Sequence, residues 1–335
     1  MRTLKGWEYR ATYLIMLLMG FFHLYTAMFG VKEAYLQRMI HLTFVLPAAF
    51  LLYPLYKTRA TLEHIPIYDW ILAAVSVAPG IYAILRYDEI SRRIVQVDDV
   101  TGIQLLFGII LTLMLLEVTR RVVGWPLALI GLAFAAYMLY GYRLPGMLRG
   151  FQFSLPEVVE QLYLTSDGIL GIPLGVSATF VIIFLIFGGF LNLSGIGEYF
   201  MDIAIVLTGK ARGGPAKIAV VSSGLFGMLS GSAVANVYST GTFTIPLMKR
   251  IGYSSQFSGA VEAVASSGGQ IMPPIMGAAA FIIASFLGVP YKDVMIAALV
   301  PAVLYYFAIG VMVHYRAVRR DLRGMSEDEL PDKIA

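Results

Sequence analysis

The sequence contains no cysteine, and only 14% of its 335 residues are charged. The absence of cysteine excludes disulfide bonds and thiolate metal sites. The scarcity of charge argues against a soluble domain, because a soluble core cannot bury the 58% of residues that are hydrophobic. The formal net charge of +4 is small and gives no reason to expect binding to nucleic acid.

Long apolar runs dominate the chain, whose mean hydropathy is +0.75. Runs near twenty residues match a hydrocarbon thickness of roughly 30 Å. The first run lacks a small-residue cleavage site and is therefore predicted to be an anchor. We predict membrane crossings at 11–30, 38–56, 68–85, 102–118, 124–142 and 174–193, followed by a second apolar group over 215–315.

The distribution of Lys and Arg predicts the orientation. With the N-terminus inside, 17 of the 25 basic residues fall in inner segments and 8 in outer loops. This balance requires Gly214 to Ile251 to enter and leave on the cytoplasmic face. We therefore predict an all-α, polytopic membrane protein. It has about eight crossings, one re-entrant helical hairpin, one broken helix and both termini in the cytoplasm.

Small polar residues fill the middle of this hairpin, in "GMLSGSAVANVYSTGTFTIP". Half-helices over 216–229 and 234–248 are predicted to meet at Ser230-Gly231-Ser232, near the membrane centre. Broken backbone at this depth requires cover by protein or by a water-filled cavity. Free carbonyls at the end of one half-helix and free N–H groups at the start of the other would bind a cation and an anion. Discontinuous helices of this kind mark binding sites in secondary transporters.

A second break is predicted in "AVASSGGQIMPPIMGAAAFIIASFLG", over 263–288. Pro273 and Pro274 suit the first turn of a new half-helix, which would leave carbonyls between 266 and 272 free to bind an ion. The alternative is a proline-kinked helix with small residues for close packing. We expect the two breaks to lie side by side and to share one monovalent cation. The predicted ligands are Ser230, Gly231, Ser232, Ser266, Ser267, Gly268, Gly269, Pro273 and Pro274.

Glu262 lies inside the broken helix, where a carboxylate is costly and usually faces a cavity or a partner. We predict a functional or specificity role, as a protonatable coupling group or as the partner of a basic residue. The alternative is a structural hydrogen bond to Ser258 or Ser266. Ser232, Asn236 and Glu262 are the predicted substrate contacts, with Asn236 one turn beyond the tip.

Other polar features have simpler interpretations. His23 and His41 are isolated in the sequence and are predicted to serve packing or an interface, and Glu117 is predicted to pair with Arg120 or Arg121. The loop over 86–99 is either a solvated connector or a docking surface. A capping box of Ser154 and Glu157 begins a predicted amphipathic helix in the membrane interface, and a second such helix is predicted over 196–208.

Two long motifs resemble a known family. "RGGPAKIAVVSSGLFGMLSGSAVANVYSTGTFTIPLMKRIGY" (212–253) and "GAVEAVASSGGQIMPPIMGAAAFIIASFLGVPY" (259–291) are similar to the fused permease of tripartite ATP-independent periplasmic (TRAP) transporters. The type that works with TAXI-type binding proteins is the most similar. The resemblance implies import of carboxylates or related organic anions by an ion gradient, a periplasmic binding protein, an elevator-type motion and no enzymatic activity. The coupling ion would be sodium, with a proton as the alternative.

The resemblance also implies a division of the chain. Residues 1–142 would correspond to the small subunit, 143–173 to a joint, 174–315 to the first repeat of the large subunit, and 316–335 to a basic cytoplasmic tail. The first repeat would hold the hairpin at 215–249 and the broken helix at 253–289. The family's second inverted repeat is missing, so we expect a truncated gene, a fragment or a split protein that does not transport alone. A second polypeptide could supply the missing half.

Two other functions fit parts of the sequence. A non-transporting membrane scaffold agrees with the single repeat. An intramembrane hydrolase would use Ser230 as its nucleophile, but a nucleophilic serine needs a positioned base, and the hairpin contains none.

The predicted topology can be tested by labelling, because the chain has no native cysteine. Single variants Lys249→Cys and Arg319→Cys should react with a membrane-impermeant maleimide only after the membrane is opened. Lys292→Cys should react in intact cells, as the matched outer position. Labelling of position 249 or 319 in intact cells would contradict the topology.

Overall fold

All secondary structure that the structure describes is helical. The computed structural model describes residues 1–56 and 58–325, without the side chains of 59, 60 and 192. It contains sixteen α-helices in this part of the chain and no strand, which confirms the predicted all-α class. The predicted tail over 316–335 is described only as far as Met325. The chain forms two compact units, Met1–Thr179 and Phe180–Ala335.

The first unit holds helices α1 to α9. They are α1 (Gly6–Phe29), α2 (Ala34–Leu52), α3 (Arg59–Glu63), α4 (Ile67–Leu85), α5 (Tyr87–Ser91), α6 (Gly102–Val122), α7 (Trp125–Tyr140), α8 (Leu155–Val159) and α9 (Ile172–Val176). Two 3-10 turns follow α7 at Gly141–Arg143 and Gly146–Leu148, and π-helical turns follow α8 and α9 at Glu160–Leu164 and Ser177–Val181.

The second unit holds helices α10 to α16. They are α10 (Ile182–Leu193), α11 (Ile196–Thr208), α12 (Gly214–Ser230), α13 (Ala233–Arg250), α14 (Ser255–Ser267), α15 (Ala278–Leu287) and α16 (Tyr291–Arg319). α11 confirms the helix predicted over 196–208. The predicted division of the chain at 142, 173 and 315 stays a prediction.

Seven helical segments of the described chain are long and apolar enough to cross a membrane. They are Gly6–Phe29, Ala34–Leu52, Ile67–Leu85, Gly102–Val122, Trp125–Arg143, Ile172–Leu191 and Tyr291–Arg319. The first six correspond to the predicted crossings, although the first begins at Gly6 rather than at 11. The remaining predicted crossing, the broken helix, is discontinuous, with α15 as a shorter apolar helix. The chain is therefore a multi-pass membrane protein.

The core of the first unit forms around α2, which packs against α1, α4 and α6. Met39, Leu46 and Phe50 of α2 are almost completely buried. Gly80 of α4 lies so close to α2 that an added Cβ would be 1.9 Å from Thr43 Oγ1. Small residues at helix contacts permit this approach, and tight packing is what holds helices together where lipid surrounds them.

A buried cluster of charges joins the ends of several helices in the first unit. Asp69 of α4 accepts hydrogen bonds from Arg2 and, at 2.6 Å, from Arg121 of α6. Arg2 Nη1 donates to the carbonyls of Phe50 and Leu51 near the end of α2, and Arg2 Nε donates to the Thr61 carbonyl. Glu117 accepts from both Arg120 and Arg121, so both of its predicted partners are confirmed. These bonds tie the N-terminal segment to α2, α4 and α6.

The two histidines of α1 and α2, isolated in the sequence, are in contact in the structure, which agrees with a role in packing. His23 Nε2 lies 2.9 Å from His41 Nδ1, and His41 Nε2 lies 3.2 Å from Ser177 Oγ. Both imidazoles are buried. Residues far apart in sequence meet here because α1 packs along α2.

The segment that follows the Ser154 cap is partly as predicted. The reciprocal hydrogen bonds of Ser154 and Glu157 are present, which confirms the capping box. The hydrogen bond that Glu157 accepts from the Ser154 backbone N–H holds the pKa of Glu157 below its ordinary value, and the bond from the Ser154 hydroxyl adds a smaller effect in the same direction. The helix is only five residues long, however, and Val159 and Tyr163 are buried in the first unit. Its apolar face therefore packs on protein.

The charged loop over 86–99 is anchored to the same segment. Arg93 donates to Glu160 at 2.9 Å and to the Asp99 carbonyl at 2.8 Å, and the Gln96 N–H also donates to Glu160. Glu160 is buried, so the loop is more than a solvated connector. Its alternative role as a docking surface stays a prediction.

Neutralising Asp69 should destabilise the first unit. Asp69→Asn leaves the buried Arg2 guanidinium without a carboxylate and Arg121 with Glu117 alone, which should cost about 3–5 kcal/mol in the free energy of unfolding. Glu89→Gln removes an exposed pair with Arg86 and should cost less than about 1 kcal/mol. Denaturation in mixed detergent micelles measures both values. Equal effects of the two variants would contradict the structural role of Asp69.

Candidate functional site

The predicted hairpin is present, with its tip at the predicted residues. α12 ends at Ser230 and α13 begins at Ala233, close to the predicted half-helices. Gly231 adopts a left-handed conformation with φ of 57°, and its N–H donates to the Gly227 carbonyl. Ser232 caps α13 through a hydrogen bond from the Ala235 N–H. Glycine suits this conformation because a Cβ is strained at positive φ.

The second break is also present, but it lies later in the chain than predicted. α14 continues to Ser267, a 3-10 turn covers Gly268–Gln270, and α15 begins only at Ala278. Pro273 and Pro274 therefore lie in the irregular segment and do not begin the second half-helix. That segment is closed by a 2.7 Å hydrogen bond from the Gly277 N–H to the Gln270 carbonyl.

Several carbonyls predicted to be free for an ion are already hydrogen-bonded. The Ser266 carbonyl accepts from Asn236 Nδ2, the Gly268 carbonyl from the Ile271 N–H, and the Gln270 carbonyl from Gly277. Three of the seven carbonyls over 266–272 thus already accept a hydrogen bond, and binding of an ion by this run stays a prediction. The unwound carbonyls come later, over 271–277, where those of Pro274 and Ile275 accept from the Tyr291 hydroxyl.

The structure brings the two breaks into direct backbone contact. A Cβ added to Gly227 would lie 2.4 Å from the Cα of Gly269, and one added to Gly231 would lie 1.9 Å from the Met276 carbonyl oxygen. Neither distance is compatible with a side chain. The glycines at 227, 231 and 269 therefore allow the hairpin tip to lie against the broken helix.

The side chains of the predicted cation ligands do not all face one common site. Ser230 and Ser232 line a cavity of about 270 Å³ together with apolar residues of α10. Ser266 is buried and donates to Glu262, whereas Ser267 is exposed and donates to the Ala263 carbonyl. The two breaks are adjacent, but the shared cation stays a prediction.

Asn236 connects the hairpin to the broken helix. Its side-chain nitrogen donates to the Ser223 carbonyl of α12 at 2.8 Å and to the Ser266 carbonyl of α14 at 3.5 Å. The side chain is fully buried. Its role here is to bridge three helices, and its predicted contact with substrate stays a prediction.

Glu262 is fully buried in a cluster of hydroxyl groups from three helices. Oε1 accepts from Ser223 at 3.3 Å, from Ser266 at 3.1 Å and from Thr240, and Oε2 accepts from Thr244. The alternative of a hydrogen bond to Ser266 is thus confirmed. The one to Ser258 is not, because that hydroxyl donates to Ser254.

No basic side chain in the described part of the chain forms an ion pair with Glu262. Sequence reasoning missed Thr240 and Thr244, although Asn236, Thr240 and Thr244 recur every four residues. This spacing places polar side chains on one face of α13.

Comparison with known proteins decides the family. Residues 110–334 match the family described as "Tripartite ATP-independent periplasmic transporter, DctM component", which is more than half of the chain. The chain belongs to this TRAP transporter family. This membership agrees with a permease rather than an enzyme.

Curated relatives are similar over part of the chain. A putative TRAP transporter large permease protein of Haemophilus influenzae is 28% identical over 144 residues, covering 43% of this chain and 33% of the relative. The C4-dicarboxylate TRAP transporter large permease protein DctM of Pseudomonas aeruginosa is 30% identical over 152 residues, covering 45% and 35%. The isethionate TRAP transporter permease protein DctMQ of Oleidesulfovibrio alaskensis is 31% identical over 157 residues, covering 46% and 22%. The chain matches about a third of the length of the first two relatives and about a fifth of the length of the third.

The contact between the hairpin tip and the broken helix can be tested by glycine-to-alanine substitutions, which add one methyl group each. Gly231→Ala should destabilise this TRAP family member by about 1–3 kcal/mol, because its Cβ would overlap the Met276 carbonyl. Gly259→Ala on α14 has open space around it and should be neutral or stabilise by up to about 1 kcal/mol. Unfolding in mixed detergent micelles compares the two. A harmless Gly231→Ala would contradict the close approach.

Proposed function

We propose that this chain is part of the permease of a secondary active importer for carboxylates or other organic anions. Transport would be driven by an ion gradient and would depend on a periplasmic binding protein of the TAXI type. The observation that carries the proposal is the direct contact between the hairpin tip at Gly231 and the broken helix at Met276. Two broken elements that meet inside a membrane protein are the usual setting of a transporter binding site.

The helix ends at the tip have suitable electrostatics. α12 ends at Ser230 with the negative end of its dipole, and α13 begins at Ala233 with the positive end of its own. A cation near the first end and a carboxylate near the second would each be stabilised. Sodium is the proposed coupling ion, and a proton is the alternative.

The names of relatives support the substrate class without fixing the substrate. One relative is named for C4-dicarboxylates and another for isethionate, and both compounds are organic anions. The TAXI-type partner, the location in the inner membrane with both termini in the cytoplasm and a second polypeptide carrying the other repeat are further parts of the proposal. They rest on the sequence motifs and on the distribution of basic residues.

Ligand-dependent stabilisation tests the proposal directly. Purified protein in detergent should gain several degrees in melting temperature with sodium chloride but not with choline chloride, because a ligand that binds only the folded state stabilises it. A panel of C4-dicarboxylates, 2-oxo acids and sulfonates should add a further shift when sodium is present.

Two variants show whether the sodium shift depends on the contact between the breaks: Gly269→Val disturbs this contact, and Gly259→Ala is the control. Gly269→Val should fold but lose the sodium shift, because a β-branched side chain would force apart the backbones at Gly227 and Gly269. Gly259→Ala should keep the sodium shift. Absence of any shift in the wild-type chain would overturn the proposal and favour a non-transporting scaffold.

A further inference from the structure

An open cleft of about 570 Å³ lies in the second unit between α11, α12 and α16. Its walls are mostly apolar and include Val221 and Leu225 of α12 and Phe307 and Val311 of α16. The volume falls within the range of roughly 300–1,000 Å³ that is typical of small-molecule sites. None of the predicted cation ligands lines this cleft, so it is separate from the hairpin tip.

The cleft is polar at one end and apolar along the rest of its length. Lys217 near the start of α12 and His314 near the end of α16 meet at the polar end, with Nζ 3.1 Å from Nδ1. Leu225 lies eight residues after Lys217, which is about 12 Å along the helix axis. The Tyr306 hydroxyl donates to the Ala265 carbonyl of α14 at 3.0 Å, so it is already satisfied by protein.

The cation at the polar end has no anionic partner. No carboxylate in the described part of the chain forms an ion pair with Lys217. A charged ammonium group can only donate, so a neutral His314 accepts from it at Nδ1 and carries its own hydrogen on Nε2. Hydrogens of both side chains remain for a further acceptor. This end of the cleft is therefore complementary to an anionic group.

The cleft opens toward the surface that a membrane would surround. α16 is one of the segments long enough to cross a membrane, and its Phe307 and Tyr315 are 68% and 69% exposed. The polar end lies beside the last turn of α16, which carries Arg316 and Arg319. The distribution of basic residues predicts that this end is cytoplasmic. Basic pockets between membrane helices on the cytoplasmic side are typical sites for anionic lipid headgroups.

We propose that this cleft binds one anionic phospholipid. Its phosphate oxygens accept hydrogen bonds from Lys217 and His314, and one acyl chain lies along Val221, Leu225 and Phe307. A free phosphate would leave the apolar walls uncovered, and an apolar helix of another polypeptide would leave Lys217 without an opposite charge. The lipid site is independent of the proposed permease function.

Native mass spectrometry of the purified full chain tests the headgroup contact, with dioleoyl phosphatidylglycerol or dioleoyl phosphatidylcholine added in detergent. One phosphatidylglycerol should bind roughly 5-fold more tightly than phosphatidylcholine, which is the effect of one lysine near an anionic headgroup. Lys217→Gln should remove this preference. Lys249→Gln, which neutralises an exposed cation in the last turn of α13, should keep it. Equal binding of the two lipids by the wild type, or a preference that persists in Lys217→Gln, would overturn the proposal.

The acyl-chain contact is tested by filling the cleft. Gly310 lines it, and an added Cβ there meets no atom within 4 Å, so Gly310→Leu should fold and occupy the space of the chain. Both lipids should then bind roughly 10-fold more weakly, since excluding two methylene groups costs about this much. Ala308→Leu, at an exposed position of the same helix outside the cleft, is the matched control and should leave binding unchanged.

Two further results would contradict a phospholipid site in this cleft. Unchanged lipid binding by Gly310→Leu would place the lipid elsewhere on the protein. Competition by glycerol 3-phosphate, which has no acyl chain, at the same concentration as phosphatidylglycerol would indicate a site for free phosphate. Because the measurement needs neither sodium nor substrate, its outcome is separate from that of the melting experiments.

Discussion

The close approach of two chain breaks is the constraint on which the second unit depends. Non-helical backbone at membrane depth must be covered, since its polar groups find no water in lipid. Here each break covers the other, and glycines at 227, 231 and 269 leave the room for it. The same approach presses α12, α13 and α14 together, so that Asn236 bridges all three. The buried hydroxyl cluster around Glu262 is a consequence of this packing.

The two units bury carboxylates in opposite ways. Asp69 in the first unit is held by two arginines, so its charge is balanced and its position is fixed. Glu262 in the second unit has hydroxyl neighbours, whose hydrogens can turn to backbone carbonyls instead. An ion pair suits a scaffold because breaking it is costly. In the hydroxyl cluster, the hydrogens can reorient without movement of the helices.

Local sequence patterns account for what was predicted correctly. Apolar runs of helical length revealed the crossings, and Gly231 between two serines marked the hairpin tip. The errors arose where local preference competed with contacts from elsewhere. Pro273 and Pro274 could begin a helix by themselves, but the Gly277 N–H bonds back to Gln270 and delays α15 to Ala278. The histidine pair was missed because no local pattern shows which helices pack together.

The sequence by itself determined the class, the crossings, the two broken elements and the resemblance to TRAP permeases, because length, hydropathy and chain-breaking residues act locally. Only the tertiary structure decided which polar groups meet. Glu262 could be placed at depth from sequence, yet its partners Ser223, Thr240 and Thr244 lie on two other helices. Their meeting depends on how closely glycine lets those helices approach, and that distance is a property of packed surfaces rather than of any one segment.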